Sequence, residues 1–409
     1  MTPRKSPATR TRRPSRTSTR KRAGKSSAKK TSAKSSRAST AGSSRTSTAK
    51  PARKSASPST RRARAPNAAE VEAQLDALER GPGEGELDLG RGVSLHVSSL
   101  SKLYFPDAGV TKGALMRYYA RVSPMLLPQI AGRPLILKRY PEGAGGPMFF
   151  QQDAGPHVPD VVQTAMVSTV DKGNRARIIG GDLATLLYTV QLGAIEVHPW
   201  LSRIPDIDSA DRCLIDLDPG DDVPFSAVVS LAREVRRIVE GCGLSGAVKT
   251  SGSSGVHLVI ALPARTSYDV SAQLAMGIAR VAAATWPDVA TVERSIGARP
   301  PGTIYVDAMQ NARGKSAARA YSLRAKAGAP VSAPLAADEL TARLRLDAFT
   351  VKTMPARVAR VGDLYGQALA ERPTTARGLA RALQVLDATL AAMRPRRGRK
   401  RGERGGAGA

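Results

Sequence analysis

The segment Cys213-Leu-Ile-Asp-Leu-Asp-Pro-Gly220 constrains the fold more tightly than any other stretch of the chain. Side chains alternate across a β-strand, so Asp216 and Asp218 share one face while Ile215 and Leu217 share the other. Pro219 and Gly220 then end the strand, because proline cannot donate to the ladder and glycine permits a sharp turn. Two carboxylates therefore stand side by side at an open strand end, where like charges repel unless a cation neutralises them. Hard oxygen ligands in this pattern suit Mg²⁺ or Mn²⁺. Two solvated acids beside a turn satisfy the same pattern, so the remainder of the chain has to decide between the two.

Charge is distributed unevenly. The 409 residues carry 63 Lys and Arg against 34 acids, a formal net charge of +29. Residues 1–66 hold 21 of the bases and no acid, and residues 394–409 hold seven bases and one acid. The body from 67 to 393 is left with 35 bases and 33 acids, close to neutral. Residues 2–66 contain no Leu, Ile, Val, Met or aromatic residue. Such an arm cannot bury enough apolar surface to offset its ordering entropy, so it is expected to be disordered. It also lacks the apolar face a transit peptide needs. Its expected partner is a polyanion, most simply DNA, bound through counterion release. The tail at 394–409 is expected to be disordered as well. Cys213 and Cys242 provide neither a disulfide framework nor a C-x-x-C pair, which points to a reducing interior. With no apolar run of about 18 residues and no secretory h-region, the expected location is cytoplasmic and nucleoid-associated.

Patterning in the body predicts alternating helices and strands. Asn67 caps a helix with Val71, Leu75 and Leu78 on one face, stopped at Gly81-Pro82-Gly83. Residues 93–98 alternate as a strand with His96 on its polar side. Thr111 is an N-cap for a helix through Tyr118, Tyr119 and Val122. Lys102 and Lys112 flank the turn before it. A cation in a first helical turn opposes the dipole, so Lys112 reads as a solvated side chain or as a partner for an anion at those N–H groups. Residues 134–140 form a strand ending in Lys138-Arg139-Tyr140, followed by the Gly-rich stretch 142–146 and then Phe149-Phe150. Such a surface suits holding phosphates and stacking bases; the alternative is core packing of at least one Phe, since in a strand only one of the two can face solvent.

A helix begins near Asp182, and the strand 194–198 sets His198 opposite Ile195 and Val197. Residues 224–240 read as an amphipathic helix. Next, Val248-Lys-Thr-Ser-Gly-Ser-Ser-Gly-Val-His-Leu-Val-Ile-Ala261 enters a Ser/Gly loop and returns as a strand. Its glycines let backbone N–H groups approach an anion, Ser251 adds a hydroxyl, and His257 lies on the face opposite Val256 and Leu258. Residues 268–285 form a long helix. In the strand after Thr303, Tyr305 and Asp307 share a face, and Asp307 supplies a third carboxylate. Residues 336–347 and 375–393 read as helices. The expected organisation is a catalytic domain at 67–350 and a helical extension at 351–393.

Three strand-borne carboxylates (Asp216, Asp218, Asp307), the Ser/Gly loop with His257 and the scattered bases describe nucleotidyl transfer. Two divalent ions would activate a 3′-hydroxyl and stabilise the leaving pyrophosphate, while Lys and Arg neutralise triphosphate charge. The blocks Thr111-Lys112, Arg133-Pro134, Lys138-Arg139, Phe149-Phe150, Glu196-Val-His198, Asp216-Leu-Asp-Pro-Gly220, Thr250-Ser-Gly-Ser-Ser-Gly-Val-His257, Val306-Asp307, Gln310-Asn311 and Tyr321-Ser-Leu-Arg324 stand in that order over roughly residues 90–345. In these blocks the chain resembles the polymerase domain of bacterial ligase D and its stand-alone relatives in the archaeo-eukaryotic primase superfamily.

The resemblance implies a primase-like α/β (α+β) fold, with an antiparallel sheet related to the RNA-recognition fold packed against an N-terminal α/β layer. It implies template-dependent addition of ribo- or deoxyribonucleotides, from nucleoside triphosphates and with Mn²⁺ or Mg²⁺, at DNA gaps and ends in non-homologous end joining. Asp216, Asp218 and Asp307 would be the catalytic metal ligands. Lys138, His198, Ser251, His257 and Arg324 would bind the nucleotide. Lys102 and Lys112 would grip a DNA 5′-phosphate, and Phe149 and Phe150 would stack on the template. Three positions depart from the family pattern: Ser254 and Gln152 stand where Lys is common, and Ala308 where an aromatic or polar-aromatic residue is usual. No K-x-D-G motif is present, so nick sealing is not expected, and Ku and a separate ATP-dependent ligase are the expected partners. A primase that needs no primer and a non-catalytic basic DNA-binding scaffold are the alternatives.

Overall fold

The computed structural model describes residues 66–169 and 173–393; the expectations for the arm at 1–65 and the tail at 394–409 lie outside them. The N-terminal layer starts with α1 (Ala68–Arg80), the hairpin β1 (Gly85–Asp88) and β2 (Ser94–Val97), and the short pair β3 (Leu103–Phe105) and β4 (Val110–Thr111). Next come α2 (Lys112–Ile130), β5 (Leu135–Arg139), β6 (Phe149–Gln151), β7 (Thr164–Thr169), β8 (Gly173–Ile178), α3 (Leu183–Gln191) and β9 (Ala194–Pro199). The capping residues read from the sequence act as caps: Asn67, Thr111 and Asp182 each accept a hydrogen bond from a backbone N–H in the first turn of their helices.

The second layer runs through β10 (Arg212–Pro219), α4 (Phe225–Gly241), β11 (Ala247–Thr250), β12 (Val256–Ala261), α5 (Tyr268–Thr285), β13 (Ala290–Thr291), β14 (Ile304–Asp307) and β15 (Pro334–Leu335). Three helices follow: α6 (Met354–Val361), α7 (Leu364–Glu371) and α8 (Ala376–Met393). Among the described residues, six strands form one sheet in the order β13-β14-β10-β12-β11-β15, antiparallel except for the edge pair β13–β14. A second sheet has the order β6-β5-β9. This is the mixed α/β architecture the sequence predicts.

Strand alternation gives the large sheet two unlike faces. Ile215 and Leu217 of β10, Leu258 and Ile260 of β12 and Val306 of β14 are buried on the face that α4 and α5 cover. Val228, Val235, Leu274 and Ile278 are buried on those helices. Each such side chain contributes about 1.5–3 kcal/mol through burial. The opposite face carries Asp216, His257 and Lys249. The two layers are stitched by hydrogen bonds across long sequence separations. Tyr119 Oη donates to Ile195 O at 2.5 Å and accepts from Leu323 N at 3.1 Å, and Val197 N donates to Ser322 Oγ at 2.8 Å.

One sequence expectation fails. Residues 336–347 do not form a helix; the segment has only two short 3-10 turns, Ala337–Glu339 and Leu346–Ala348. Glu339 is held elsewhere: its carboxylate accepts from Ala336 N at 2.8 Å and from Arg357 of α6 at 2.6 Å. Leu340 alone of this stretch is fully buried, so no continuous apolar stripe exists to dock a helix. The long helix expected at 375–393 is α8, whose Leu379, Ala382 and Leu386 join the main core.

The turn from β11 to β12 approaches the backbone of β10 closely. A Cβ at Gly255 would lie 2.2 Å from Leu217 O, and Gly252 has a left-handed φ of +72°. Gly255→Ala is therefore expected to destabilise the chain by about 1–3 kcal/mol, the usual cost of overpacking. Urea unfolding of the purified protein checks this, and an unchanged midpoint would contradict the close approach.

Candidate functional site

Strand register brings the sequence-predicted acids together. On neighbouring strands Asp216 lies directly opposite Asp307 on one side and His257 on the other. His257 in turn lies opposite Lys249 of β11. Directly opposed residues have Cβ atoms about 4.5–5.5 Å apart and share a face. The result is a row, Asp307–Asp216–His257–Lys249, across four strands. Asp218, two residues along β10, projects on the same side opposite Tyr305.

Each acid has a protein partner. Asp216 Oδ1 lies 3.2 Å from His257 Nε2. Asp218 Oδ2 is 3.4 Å from Arg299 Nη1, and that guanidinium stacks 4.2 Å from the Tyr305 ring centroid. Asp307 accepts from Met309 N at 2.6 Å, from Tyr305 Oη at 3.3 Å and from Gln310 Nε2 at 3.3 Å. Burial alone would push the Asp216 carboxyl up, but His257, Lys249 and Arg324 more than offset it and hold it below the usual carboxylate range. The Asp218 carboxyl is pushed up by burial and by the charges of Asp216 and Asp307, despite Arg299. Three hard carboxylates on one face, one of them raised by burial and by its acidic neighbours, suit a small divalent cation. The donor chemistry thus fits Mg²⁺ or Mn²⁺. Among the described residues, however, no three acidic, histidine or cysteine side chains are gathered tightly enough to hold an ion as they stand.

Beside the acids lies a cleft of about 240 Å³ lined by His198, Asp216, Asp218, Ser251, His257 and Arg324 together with Ser254, Gly255 and Gln310. Six of the sequence-predicted site residues, from four separate segments, meet there. Ser251 Oγ accepts from Ser253 N at 3.1 Å and Gly255 N at 3.0 Å, so its hydroxyl shapes the Ser/Gly loop. Arg324 Nη1 donates to Ser251 O at 2.6 Å. Lys138 does not line this cleft but joins it through Glu196. That buried carboxylate accepts from Lys138 Nζ at 3.2 Å, Arg324 Nε at 2.9 Å and Ala325 N at 3.2 Å, and pairs with His198 Nε2 at 2.7 Å. Burial opposes its ionisation, but His198, Arg324 and Lys138 together hold the Glu196 carboxyl far below the usual range.

The remaining predicted residues lie elsewhere. Lys112 is 4% exposed rather than solvated. Its Nζ donates to Ser98 O at 2.9 Å, and burial with the charge of Lys102 lowers its pKa to about 8. Lys102 Nζ donates to Glu142 Oε2 at 2.8 Å. Phe149 and Phe150 are 47% and 58% exposed, so neither packs in the core and the core-packing alternative fails. They sit on β6, the edge strand of a three-stranded sheet, with the Arg139 guanidinium 5.1 Å from the Phe149 ring centroid.

Three residues of the site carried no assigned role in the sequence reading. Glu196 was legible: period two places it on the same face as His198. Lys249 was legible in part, as a lone cation in the short apolar strand before the Ser/Gly loop. Arg299 lies on a loop with no periodic pattern, and nothing local points from it to Asp218.

The model of the family described as LigD, primase-polymerase domain, matches residues 111–365 of this chain. The chain belongs to this family. Among curated relatives, the multifunctional non-homologous end joining protein LigD of Pseudomonas aeruginosa is 30% identical over 269 residues, covering 64% of this chain and 31% of that protein. The bifunctional LigD of Bacillus subtilis is 32% identical over 269 residues, covering 66% and 43%. The multifunctional LigD of Mycobacterium bovis is 33% identical over 304 residues, covering 72% and 39%. The chain thus spans less than half the length of these LigD relatives. A solved structure titled as the polymerase domain from Mycobacterium tuberculosis ligase D in complex with DNA superposes with a TM-score of 0.63 at 31% identity. It covers 68% of this chain and 99% of that one. The LigD match runs past residue 345, where the sequence resemblance stops, into α7. Tyr321 Oη donates to Asp363, the N-cap of α7, at 2.7 Å, which ties that helix to the segment carrying Arg324. Among the described residues, no helix is long and apolar enough to cross a membrane.

Removing the Glu196 charge leaves Lys138, Arg324 and His198 without their shared partner, so Glu196→Gln is expected to cost about 3–5 kcal/mol, as for other broken buried pairs. The folded-state pKa of Glu196 lies below its ordinary value of 4.5. The stabilisation is therefore complete above about pH 4.5 and is lost as pH falls toward the folded value. Melting temperature followed against pH should fall more shallowly on the acid side in Glu196→Gln than in the parent; parallel curves would contradict this.

Proposed function

We propose that this chain is a template-dependent nucleotidyltransferase that extends DNA at gaps and broken ends in non-homologous end joining. The observation that carries this is the row Asp307–Asp216–His257 beside a cleft floored by a Ser/Gly loop and flanked by Arg324. Acids that gather divalent cations and bases that hold phosphate are the two halves of a triphosphate site.

In this reading the triphosphate lies along the loop from Ser251 to Gly255. Backbone N–H groups and His257 donate to its oxygens, while Arg324 and Lys138 neutralise its charge. Asp216, Asp218 and Asp307 would hold Mn²⁺ or Mg²⁺, whose chemistry is to lower the pKa of the attacking 3′-hydroxyl and offset charge on the leaving pyrophosphate. Glu196 keeps the cationic groups at fixed positions before substrate arrives, so little reorganisation is left for the reaction itself. His198 would contact the nucleotide at the cleft wall. Phe149 and Phe150, exposed beside Arg139, offer stacking surface to template bases. Lys102 and Lys112 would receive a 5′-phosphate at the start of α2, where the buried Lys112 ammonium lacks a carboxylate partner among the described residues. DNA is the partner this reading requires; Ku and a separate ligase belong to the same proposal, as does the use of the 21 bases in residues 1–66 as a DNA tether.

Extension of a 5′-phosphorylated gapped duplex with labelled nucleotides tests the proposal. Asp216→Ala and Asp307→Ala should each lower extension by at least about 100-fold while retaining a cooperative melting transition. Extension equal to that of the parent would sink the mechanism, and products from unprimed single strands would favour a primase instead. Lys112→Ala should lose about tenfold of the preference for a phosphorylated over an unphosphorylated gap, the worth of one charge-assisted hydrogen bond at about 1.5 kcal/mol. Deleting residues 1–66 should flatten the salt dependence of DNA affinity while leaving turnover at saturating DNA unchanged; a loss of turnover there would contradict the tether.

A further inference from the structure

Among the three acids of the row and its flank, Asp216 faces His257 and Asp218 faces Arg299. Asp307 differs: its three donors are all uncharged. Tyr305 Oη at 3.3 Å and Met309 N at 2.6 Å both donate to Oδ1, and Gln310 Nε2 at 3.3 Å donates to Oδ2. Each carboxylate oxygen offers about two lone pairs. Oδ1 is therefore filled, and the acceptor position that remains is on Oδ2. Neutral donors orient the group without adding positive charge that would compete with a cation. The sheet places Tyr305 for this task. Period two sets it on the face of Asp307, directly opposite Asp218 of β10, and it is buried there. Its ring carries the Arg299 guanidinium 4.2 Å from the centroid, and Arg299 Nη1 lies 3.4 Å from Asp218 Oδ2. One tyrosine thus touches Asp307 with its hydroxyl and the partner of Asp218 with its ring face.

We propose that Tyr305 is a positioning residue for the cation-binding acids: its hydroxyl holds the Asp307 carboxylate with Oδ1 occupied and Oδ2 left to a divalent cation. Groups that hydrogen-bond a ligating side chain fix its orientation, and losing one typically costs 10–100-fold in metal affinity, a range taken here at its lower end of about tenfold because Met309 N and Gln310 remain. A cationic donor in place of the tyrosine would orient the carboxylate equally well but would neutralise it. The contacts stand on geometry alone; their use in nucleotidyl transfer rests on the function proposed above.

Tyr305→Phe removes the hydroxyl and keeps the ring that stacks on Arg299. The change is nearly isosteric, so the fold is expected to survive it, and a cooperative melting transition of the metal-free variant checks this. Mn²⁺ would be titrated calorimetrically into the full chain, without DNA or nucleotide. Tyr305→Phe should bind it about tenfold more weakly than the parent. Tyr305 does not line the cleft beside the acids. Affinity for a non-hydrolysable nucleoside triphosphate, titrated without metal, should therefore be the same in both proteins. Equal Mn²⁺ affinity in parent and variant, or no Mn²⁺ binding by the parent, would overturn the inference. A matching loss of triphosphate affinity would also overturn it, because the substitution would then have distorted the site as a whole. Weaker Mn²⁺ binding in the variant, with no DNA extension by the parent, would uphold the positioning role and reject the polymerase reading.

Discussion

The pairing register of β10 with its two neighbours is the constraint on which the rest of the site depends. Because side chains alternate with a period of two, a slip of one residue between β10 and β14 would send Asp307 to the helix-covered face and Val306 to the acidic one. What resists such a slip is the apolar side of the sheet. Ile215, Leu217, Leu258 and Val306 are buried and would have to exchange with charged groups. Register is also pinned from the ends. Gly255 lets the β11–β12 turn close onto Leu217 O. Asn311, just past β14, donates to Leu214 O at 2.6 Å and accepts from Leu214 N at 2.8 Å. Hydrophobic packing behind the sheet thus sets the geometry of the charges in front of it.

Those charges are costly to assemble, and the chain lowers the cost by making one buried group serve several others. Glu196 is shared by Lys138, His198 and Arg324. A single desolvated carboxylate therefore keeps His198 and Arg324 in place at the cleft wall and ties Lys138 to them. A buried charge stripped of partners would be far more damaging than its net contribution suggests. At the acidic end the balance tilts the other way: Asp218 is crowded by Asp216 and Asp307 and has only Arg299 against it. The site thus pairs a satisfied basic half with an acidic half in which negative charge is in excess, and that asymmetry is what a cation-dependent phosphate chemistry would use.

Several of these arrangements could be read along the chain because they are local. Caps at Asn67, Thr111 and Asp182, the alternation in β10 and β12, and the helices α4, α5 and α8 depend on residues within a few positions of one another. The expectation for 336–347 failed for the complementary reason. Its composition suits a helix, but Glu339 is taken by Arg357 and β15 pairs with β11 up to Leu335. The same holds for Phe149 and Phe150: whether a strand has one open face or two depends on whether it lies at a sheet edge, and that is a property of the sheet.

By itself the sequence determined the strands that carry the acids and most of the helices packed behind them, the side each charge takes on its own strand, and membership in the LigD primase-polymerase family through ordered blocks of residues. Tertiary structure alone decided which strands are neighbours and in what register. It therefore decided that Asp307 stands opposite Asp216, that Lys249 lies behind His257, that Arg299 reaches Asp218 and that Lys112 is buried. The physical reason is range. Periodicity and capping act over a few residues along the chain, whereas these pairings join positions separated by up to some ninety residues, where only the packing of the whole apolar core selects the partner.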